Sequence, residues 1–444
     1  MKKTYIDTAM ERIAPDLILK GGNVVDVFSG RVIKADVIIK DGIICGVGSY
    51  SGENEQDVSG KYIMPGFIDS HVHIESSMTQ PSEYAKAVMP HGITTVIADP
   101  HEITNVCGED GLEFMLKSAK NIPLDVNLML PSCVPATPFE HTGANLDAKT
   151  TQKLAPKFFG IGEMMNYPGI VSGDDETLGK LCLDIIDGHA PLLSGHELDA
   201  YASAGIKTDH ECSVVEEMTE KISKGMYILL REGTLSLDVA KLIKGVTPYT
   251  LRRCAFCTDD RFVGEIIRDG SIDHCIRKAV SLGLNNIDAI IMATLNACEM
   301  YGMKNKGAIA PSYVADIVVA DDLNLSSISQ VYKNGKLVCE NGKALFECET
   351  VDNSKVTNTV HLPKISADFF KTDVKDKFDA IELIPESIIT KKVTVSYSDS
   401  LSKVCVIERH HNLGTKGIGF VTNYGITNGA IATSIGHDSH NVIV

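Results

Sequence analysis

"YIMPGFIDSHVH", residues 62–73, is an apolar run with Pro65-Gly66 in its middle and a His-x-His pair at its end. Side chains alternate faces along a strand, so His71 and His73 point the same way. In a strand of a parallel barrel, both imidazoles then face the mouth at the carboxyl end, where active sites on that fold gather. Two convergent nitrogen donors there are metal ligands by their chemistry. A bare His-x-His arises often by chance; the hydrophobic strand in front of it is what gives it meaning.

Working outward, strand-like runs alternate with helix-like stretches. After the first run come "TTVIADP", "DVNLML", "FFGIGEM", "LDIIDGH" (or "APLLSG" just behind it), "GIKTDH", "MYILLREG" and "RRCAFCTDD", eight in all. "EDGLEFMLKSAKN" and "SVVEEMTEKISKG" carry apolar residues at three- and four-residue spacing, as crossover helices should. This rhythm predicts an α/β fold with a closed (β/α)8 barrel of the TIM type over residues 61–305.

The flanks are different. Residues 17–50 are short β-rich runs broken by Gly-Gly, Ser-Gly and Asp-Gly, which are hairpin signals, and the pattern returns after the barrel with Asn334-Gly335 and Asn341-Gly342. Residues 1–60 and 306–352 are therefore expected to pair into one small β-sandwich. A polar linker, "VDNSKVTNT", leads to a third, β-rich domain over 353–444. It closes on "GHDSHNVIV" in mid-strand with no polar terminus, the pattern of a truncated chain.

Bulk properties narrow the function. A chain of 444 residues with 44% apolar and 23% charged content can bury a large core. A net charge of −16 without a basic stripe argues against gripping nucleic acid, so any substrate is free and small. The opening "MKKTYIDTAMERIAPDLIL" has no apolar run behind its lysines, and nowhere do roughly 18 apolar residues follow one another, so secretion and membrane spanning are disfavoured. Twelve cysteines scattered from Cys45 to Cys405 lack disulfide-framework spacing, which predicts reduced thiols in the cytoplasm. A homo-oligomer is compatible with all of this.

Later strand ends supply further donors. Glu163 follows "FFGIG", His189 follows "LDIIDG", His210 follows "GIKTD" and Asp259 follows "CAFCT". Any one of them reads as a solvated loop residue. The ordered set His-x-His, Glu, His, His, Asp is hard to obtain by accident on a fold whose sites assemble from several strand ends. His101 and Glu102 follow Asp99-Pro100, where proline ends the second strand and should leave both side chains in a mouth loop.

The stretches "MPGFIDSHVHIESS", "GITTVIADPHEITNVCG", "GIGEMMNYPGI", "DGHAPLLSG", "TDHECSVVEEM", "LLREGTLS", "FCTDDR" and "GHDSHN" together resemble the adenine deaminases of the amidohydrolase superfamily. The resemblance implies two divalent metal ions held by His71, His73, Glu163, His189, His210 and Asp259, with Glu163 as a bridging carboxylate where many relatives use a carboxylated lysine. Manganese heads the list of ions, and nitrogen and oxygen donors accept iron or zinc as well. It implies attack of a metal-activated hydroxide on C6 of adenine, giving hypoxanthine and ammonia, with Asp259, His210 and Glu163 as the catalytic residues. Ring nitrogen N1 needs a proton, for which His101, Glu102 and Glu75 are candidates. His437, Asp438 and His440 in "GHDSHN" are a further contribution to substrate binding that the resemblance implies from the C-terminal domain.

Two signals mislead. His73-Ile-Glu75 and Cys254-x-x-Cys257 together evoke the single-zinc nucleobase deaminases of another fold, but Arg253 stands where those have proline, and strand positions three apart face opposite sides. The two cysteines are expected in the core. His91, His141, His274, His410 and His411 are expected at the surface or in local hydrogen bonds. Two rival functions remain: a cyclic-amide hydrolase of the dihydroorotase or hydantoinase kind, and a barrel that has become a non-catalytic scaffold.

Overall fold

The computed structural model describes residues 2–373, 376–385, 389–398 and 401–444. The opening stretch serves two sheets. Tyr62–Pro65 pairs antiparallel with Ile317–Ala320 in an outer sheet, and Phe67–Val72 starts the barrel. The switch falls at Gly66, where a Cβ would lie 2.3 Å from Thr94 Oγ1, so only glycine lets the chain pass this close to the second barrel strand.

The barrel strands are Phe67–Val72, Ile93–Ala98, Asp125–Leu130, Gly160–Met164, Ile186–Gly188, Thr208–Asp209, Tyr227–Arg231 and Cys254–Cys257. The first five pair parallel in chain order, as do the last three. Of the two readings open for the fifth strand, the structure takes "LDIIDGH". The circle closes where Asp259 N–H donates to His71 O and His73 N–H to Asp259 O, at 3.0 and 3.1 Å. The fifth and sixth strands meet through a side chain beside one long backbone bond, Lys207 N–H to Ile186 O at 3.5 Å: Thr208 Oγ1 accepts from Gly188 N–H at 3.0 Å and donates to Asp187 at 2.8 Å. Two short strands leave little ladder to form there, and the hydroxyl replaces it.

Crossover helices pack outside, among them His101–Ser118 and Val215–Ser223. The first corrects an expectation. His101 and Glu102 sit in the opening turn of this helix, not in a mouth loop. Proline lacks an N–H that the first helical turn would leave unbonded anyway, so Pro100 ends the strand without preventing a helix directly behind it. The helix is interrupted at Gly108, which adopts φ +56.

Both flanks join one nine-stranded sheet, in which Leu17–Asp26, Arg31–Lys40 and Ile43–Gly48 meet the post-barrel strands through Tyr62–Pro65. It curls over until Ile43 bridges Val314, enclosing Leu19, Val37, Ile44, Ile63, Ile317 and Val319. A separate five-stranded sheet runs in the order Thr390–Ser396, Lys377–Leu383, Lys416–Thr422, Ser402–Ile407, Val442–Ile443. Cys254 and Cys257 fall into two different core clusters, as opposite faces of one strand require.

Lys221, fully buried, ties the barrel wall to the sixth strand end. Its ammonium donates to Ala190 O and Glu217 at 2.7 Å each and lies 3.1 Å from Asp209. Lys221→Met leaves two buried carboxylates without a counter-charge and is predicted to lower unfolding free energy by about 3–5 kcal/mol in urea titrations.

Candidate metal centre

His71 and His73 leave the first strand two residues apart with their Nε2 atoms 3.2 Å from one another. His73 Nδ1 lies 2.8 Å from the Asp99 carbonyl, which can only accept, so Nδ1 carries a proton and Nε2 is left to face His71 and the carboxylates. In the neutral ring the Nε2 lone pair is available to an ion. An ion with ligand bonds of about 2.0–2.1 Å places neighbouring donors about 3 Å apart, which this pair matches.

Glu163 stands between two groups. Its Oε1 lies 3.2 Å from His73 Nε2 and 3.8 Å from His71 Nε2; its Oε2 lies 3.3 Å from His210 Nε2 and bonds His189 Nδ1. One carboxylate thus faces His71 and His73 with one oxygen and His189 and His210 with the other, the disposition of a bridging ligand. Asp259 Oδ1 completes the first group at 3.1 Å from His73 and 3.5 Å from His71. The triads His71–His73–Glu163, His71–His210–Asp259 and Glu163–His189–His210 each bring their donor atoms within 4.8 Å. All six residues named from the strand ends therefore converge, and their chemistry fits a pair of divalent ions.

Each donor is fixed by groups around it. Asp99 accepts the Glu163 N–H at 2.9 Å, an approach open because Gly162 has no Cβ there. Tyr201 Oη accepts from His189 N–H and donates to Met164 O. Asp187, near His71 Nδ1, is held by Tyr301 Oη at 3.0 Å. Arg231, the last residue of the seventh strand, bonds Asp259 Oδ2 at 2.9 Å and grips Glu211, while its Nε reaches Asp238 at 3.1 Å. Glu211 in turn lies 3.7 Å from His210 Nε2. Sequence reasoning missed Arg231 and Glu211, although a charge directly behind "YILL" was the available signal; Tyr301, on a distant helix end, gave none.

Burial alone would raise the carboxyl of Glu163, yet His189, His210 and His73 hold it well below its usual range. Asp259 is likewise pulled down against burial by His71, His73 and Arg231. Asp69, with Thr258 its chief partner and less positive charge around it, is pushed by burial up to about 6. Asp259 adopts φ +58, a left-handed conformation uncommon for a non-glycine residue and typical of strained functional positions.

A second cluster adjoins the first. His101 Nδ1 lies 3.4 Å from Glu163 Oε1, and its Nε2 lies 3.3 Å from both Glu102 and Asp438. His437 and His440 each bond one oxygen of Glu102. Despite burial, that contact raises His437 to about 9. Glu75 accepts the Ile103 N–H at 3.1 Å and keeps its other oxygen free of hydrogen bonds. His91, His410 and His411 pair with Asp273, Ser439 O and Thr142 O.

Comparisons with known proteins agree with this picture. The amidohydrolase family model matches residues 62–338, and the adenine deaminase C-terminal domain model matches 383–444. The chain is 45% identical to "Adenine deaminase 2" of Desulfotalea psychrophila, covering 100% of this chain and 80% of that one. It is 47% identical to an adenine deaminase of Clostridium acetobutylicum, with 99% and 80% covered. Among solved structures, a β-aspartyl dipeptidase from Fervidobacterium islandicum AW-1 superposes with TM-score 0.54 at 19% identity, covering 76% of this chain and 98% of that one. A putative prolidase from Bifidobacterium longum gives 0.53 at 17%, with 75% and 97% covered. These two share the fold.

Glu163→Gln removes the negative charge from between the two imidazole groups. It is predicted to lower metal content relative to the unaltered protein, measured by plasma mass spectrometry.

Proposed function

The chain belongs to the adenine deaminases of the amidohydrolase family, and from that premise we propose how its own residues perform the reaction. The reaction is the hydrolytic deamination of adenine to hypoxanthine and ammonia. The enzyme is a metal-dependent hydrolase. The observation that carries our reading of the site is the division of the Glu163 carboxylate between two imidazole pairs.

In this reading His71, His73 and Asp259 would hold one ion and His189 and His210 the other, with Glu163 available to both. Nitrogen and oxygen donors of this kind accept manganese, iron and zinc, of which we assign manganese first. When bound, the ions lower the pKa of water from near 16 to about 7, which makes a nucleophile available at neutral pH. Asp259 enters the reaction as a carboxylate. With Oδ2 anchored on Arg231, it accepts a proton from the attacking water and passes it toward the departing ammonia. Glu75, His101 and Glu102 face the purine ring, with His101 and Glu75 the candidates to provide its N1 proton, and His437, Asp438 and His440 close the site from the C-terminal sheet.

We divide the chain into residues 1–60 and 306–352 for the outer sheet, 61–305 for the barrel and 353–444 for the C-terminal domain. We place the enzyme in the cytoplasm. The twelve cysteines, all free thiols and most of them buried, support a reducing compartment. Among the described residues, no helix is long and apolar enough to cross a membrane.

The test is the manganese-loaded protein incubated with adenine, with hypoxanthine and ammonia measured. Turnover is expected with manganese and its loss after chelation. Asp259→Asn is predicted to abolish turnover while most metal stays bound, and an active, fully metallated Asp259→Asn protein would refute the proton-transfer role.

A further inference from the structure

Glu102 sits in the first turn of the helix behind the second strand, 2% exposed. A buried carboxylate needs partners for both oxygens, or its desolvation is uncompensated. Besides its neighbour His101, two partners come from the other end of the chain. His440 Nε2 donates to Oε2 across 338 positions of sequence, and His437 Nδ1 stands against Oε1 as an ion-pair partner. Next to this clamp, His101 is buried and neither of its ring nitrogens has a hydrogen-bond partner. It stands between Glu163 at 3.4 Å on one side and Glu102 and Asp438 at 3.3 Å on the other.

The segment that delivers the clamp is itself held on two sides. Val442–Ile443 pairs with Ser402–Ile407, Thr433 bridges Ile443, and His410 Nε2 bonds Ser439 O at 2.7 Å. Toward the barrel, Asn441 Nδ2 donates to His141 O at 2.8 Å. Between these ties His440 adopts φ +53, and at Gly436 a Cβ would lie 2.8 Å from Ile443. A bulky residue in left-handed backbone persists only where its surroundings over-determine it, and such positions cluster at functional sites. If this segment only docked two domains, the Asn441 and His411 ties to the barrel would serve without strain and without two imidazoles spent on one carboxylate.

We propose that His437 and His440 are positioning residues of the deaminase site: by clamping Glu102 they set the place of His101 beside the bridging carboxylate, so the barrel is a complete site only with the C-terminal sheet docked. The inference rests on the metal-centre assignment made above. Glu102, His437 and His440 act as one unit, with Asp438 limiting His101 from the open side.

The test uses the full chain loaded with manganese, measuring kcat and KM for adenine, metal content and thermal unfolding. His440→Ala and Glu102→Gln are each expected to lower kcat about 10- to 100-fold, with two ions per chain retained. The double variant is expected to be no worse than the poorer single one, because removing either partner already breaks the unit. His440→Gln, which keeps a side-chain N–H in reach, should recover part of the loss. His411→Ala, which cuts another tie between the same two domains, should keep wild-type kcat. The proposal is overturned if His440→Ala stays within about twofold of wild type. It is equally overturned if His411→Ala falls as far as His440→Ala, or if Glu102→Gln loses its metal along with its activity; that last result would make Glu102 part of the metal centre instead.

Discussion

The Glu163 carboxylate, set between two imidazole pairs, is the constraint that the surrounding structure satisfies. His71, His73, His210, Glu163 and Asp259 crowd donor atoms within a few ångströms in a mouth where each is at least nine-tenths buried. Lone pairs and negative charges packed this closely repel one another without positive charge among them. The arrangement suits a cage for cations, and the barrel holds it with its own covalent and hydrogen-bonded frame.

That frame is a layer of polar groups just beneath the donors. Asp69 joins the first strand to Thr258 behind the eighth, Asp99 joins the second to the fourth, and Thr208 with Asp187 bridges the seam between fifth and sixth. Lys221 and Arg231 neutralise the carboxylates this layer accumulates. Each contact crosses between strands that adjacent ladders alone would not register, so strand ends distant in sequence arrive at one height. Arg231 also divides the work of Asp259: one oxygen faces the imidazoles, the other is tied down, which fixes the direction from which a proton can reach it.

The first-layer donors were legible because they obey local rules. An apolar run has a definite length, the residue behind it stands at the mouth, and the two-residue period brings His71 and His73 to one side. The second layer was not legible for the opposite reason. Tyr301 reaches Asp187 from 114 positions away, and Asp69 meets Thr258 across 189; neither has a periodicity or neighbour that announces its partner. The fold showed the same division. The hairpin signals of both flanks were visible, while the use of one stretch by two sheets at Gly66 depends on the steric closeness of Thr94. His101 and Glu102 were misplaced into a loop because a proline marks a boundary without saying what begins behind it.

The contribution of "GHDSHN" follows from the same geometry. Glu102 lies at the start of a helix whose first turn is buried under the mouth, and among the described residues its two oxygens meet no partner from barrel strands. A carboxylate there is tolerated when kept protonated or when paired, and His101, though 3.3 Å away, makes no hydrogen bond with it. The two imidazoles of the C-terminal segment supply the second solution, and the left-handed backbone at His440 is the conformational cost of reaching it. That cost would have no return if the C-terminal sheet merely covered an exposed edge, since cover requires shape and area but no particular donor atoms. Paired, Glu102 remains an anion beside His101, and His101 remains beside Glu163. The placement of a residue in contact with the Glu163 carboxylate is thereby tied to a segment more than three hundred positions later in the chain.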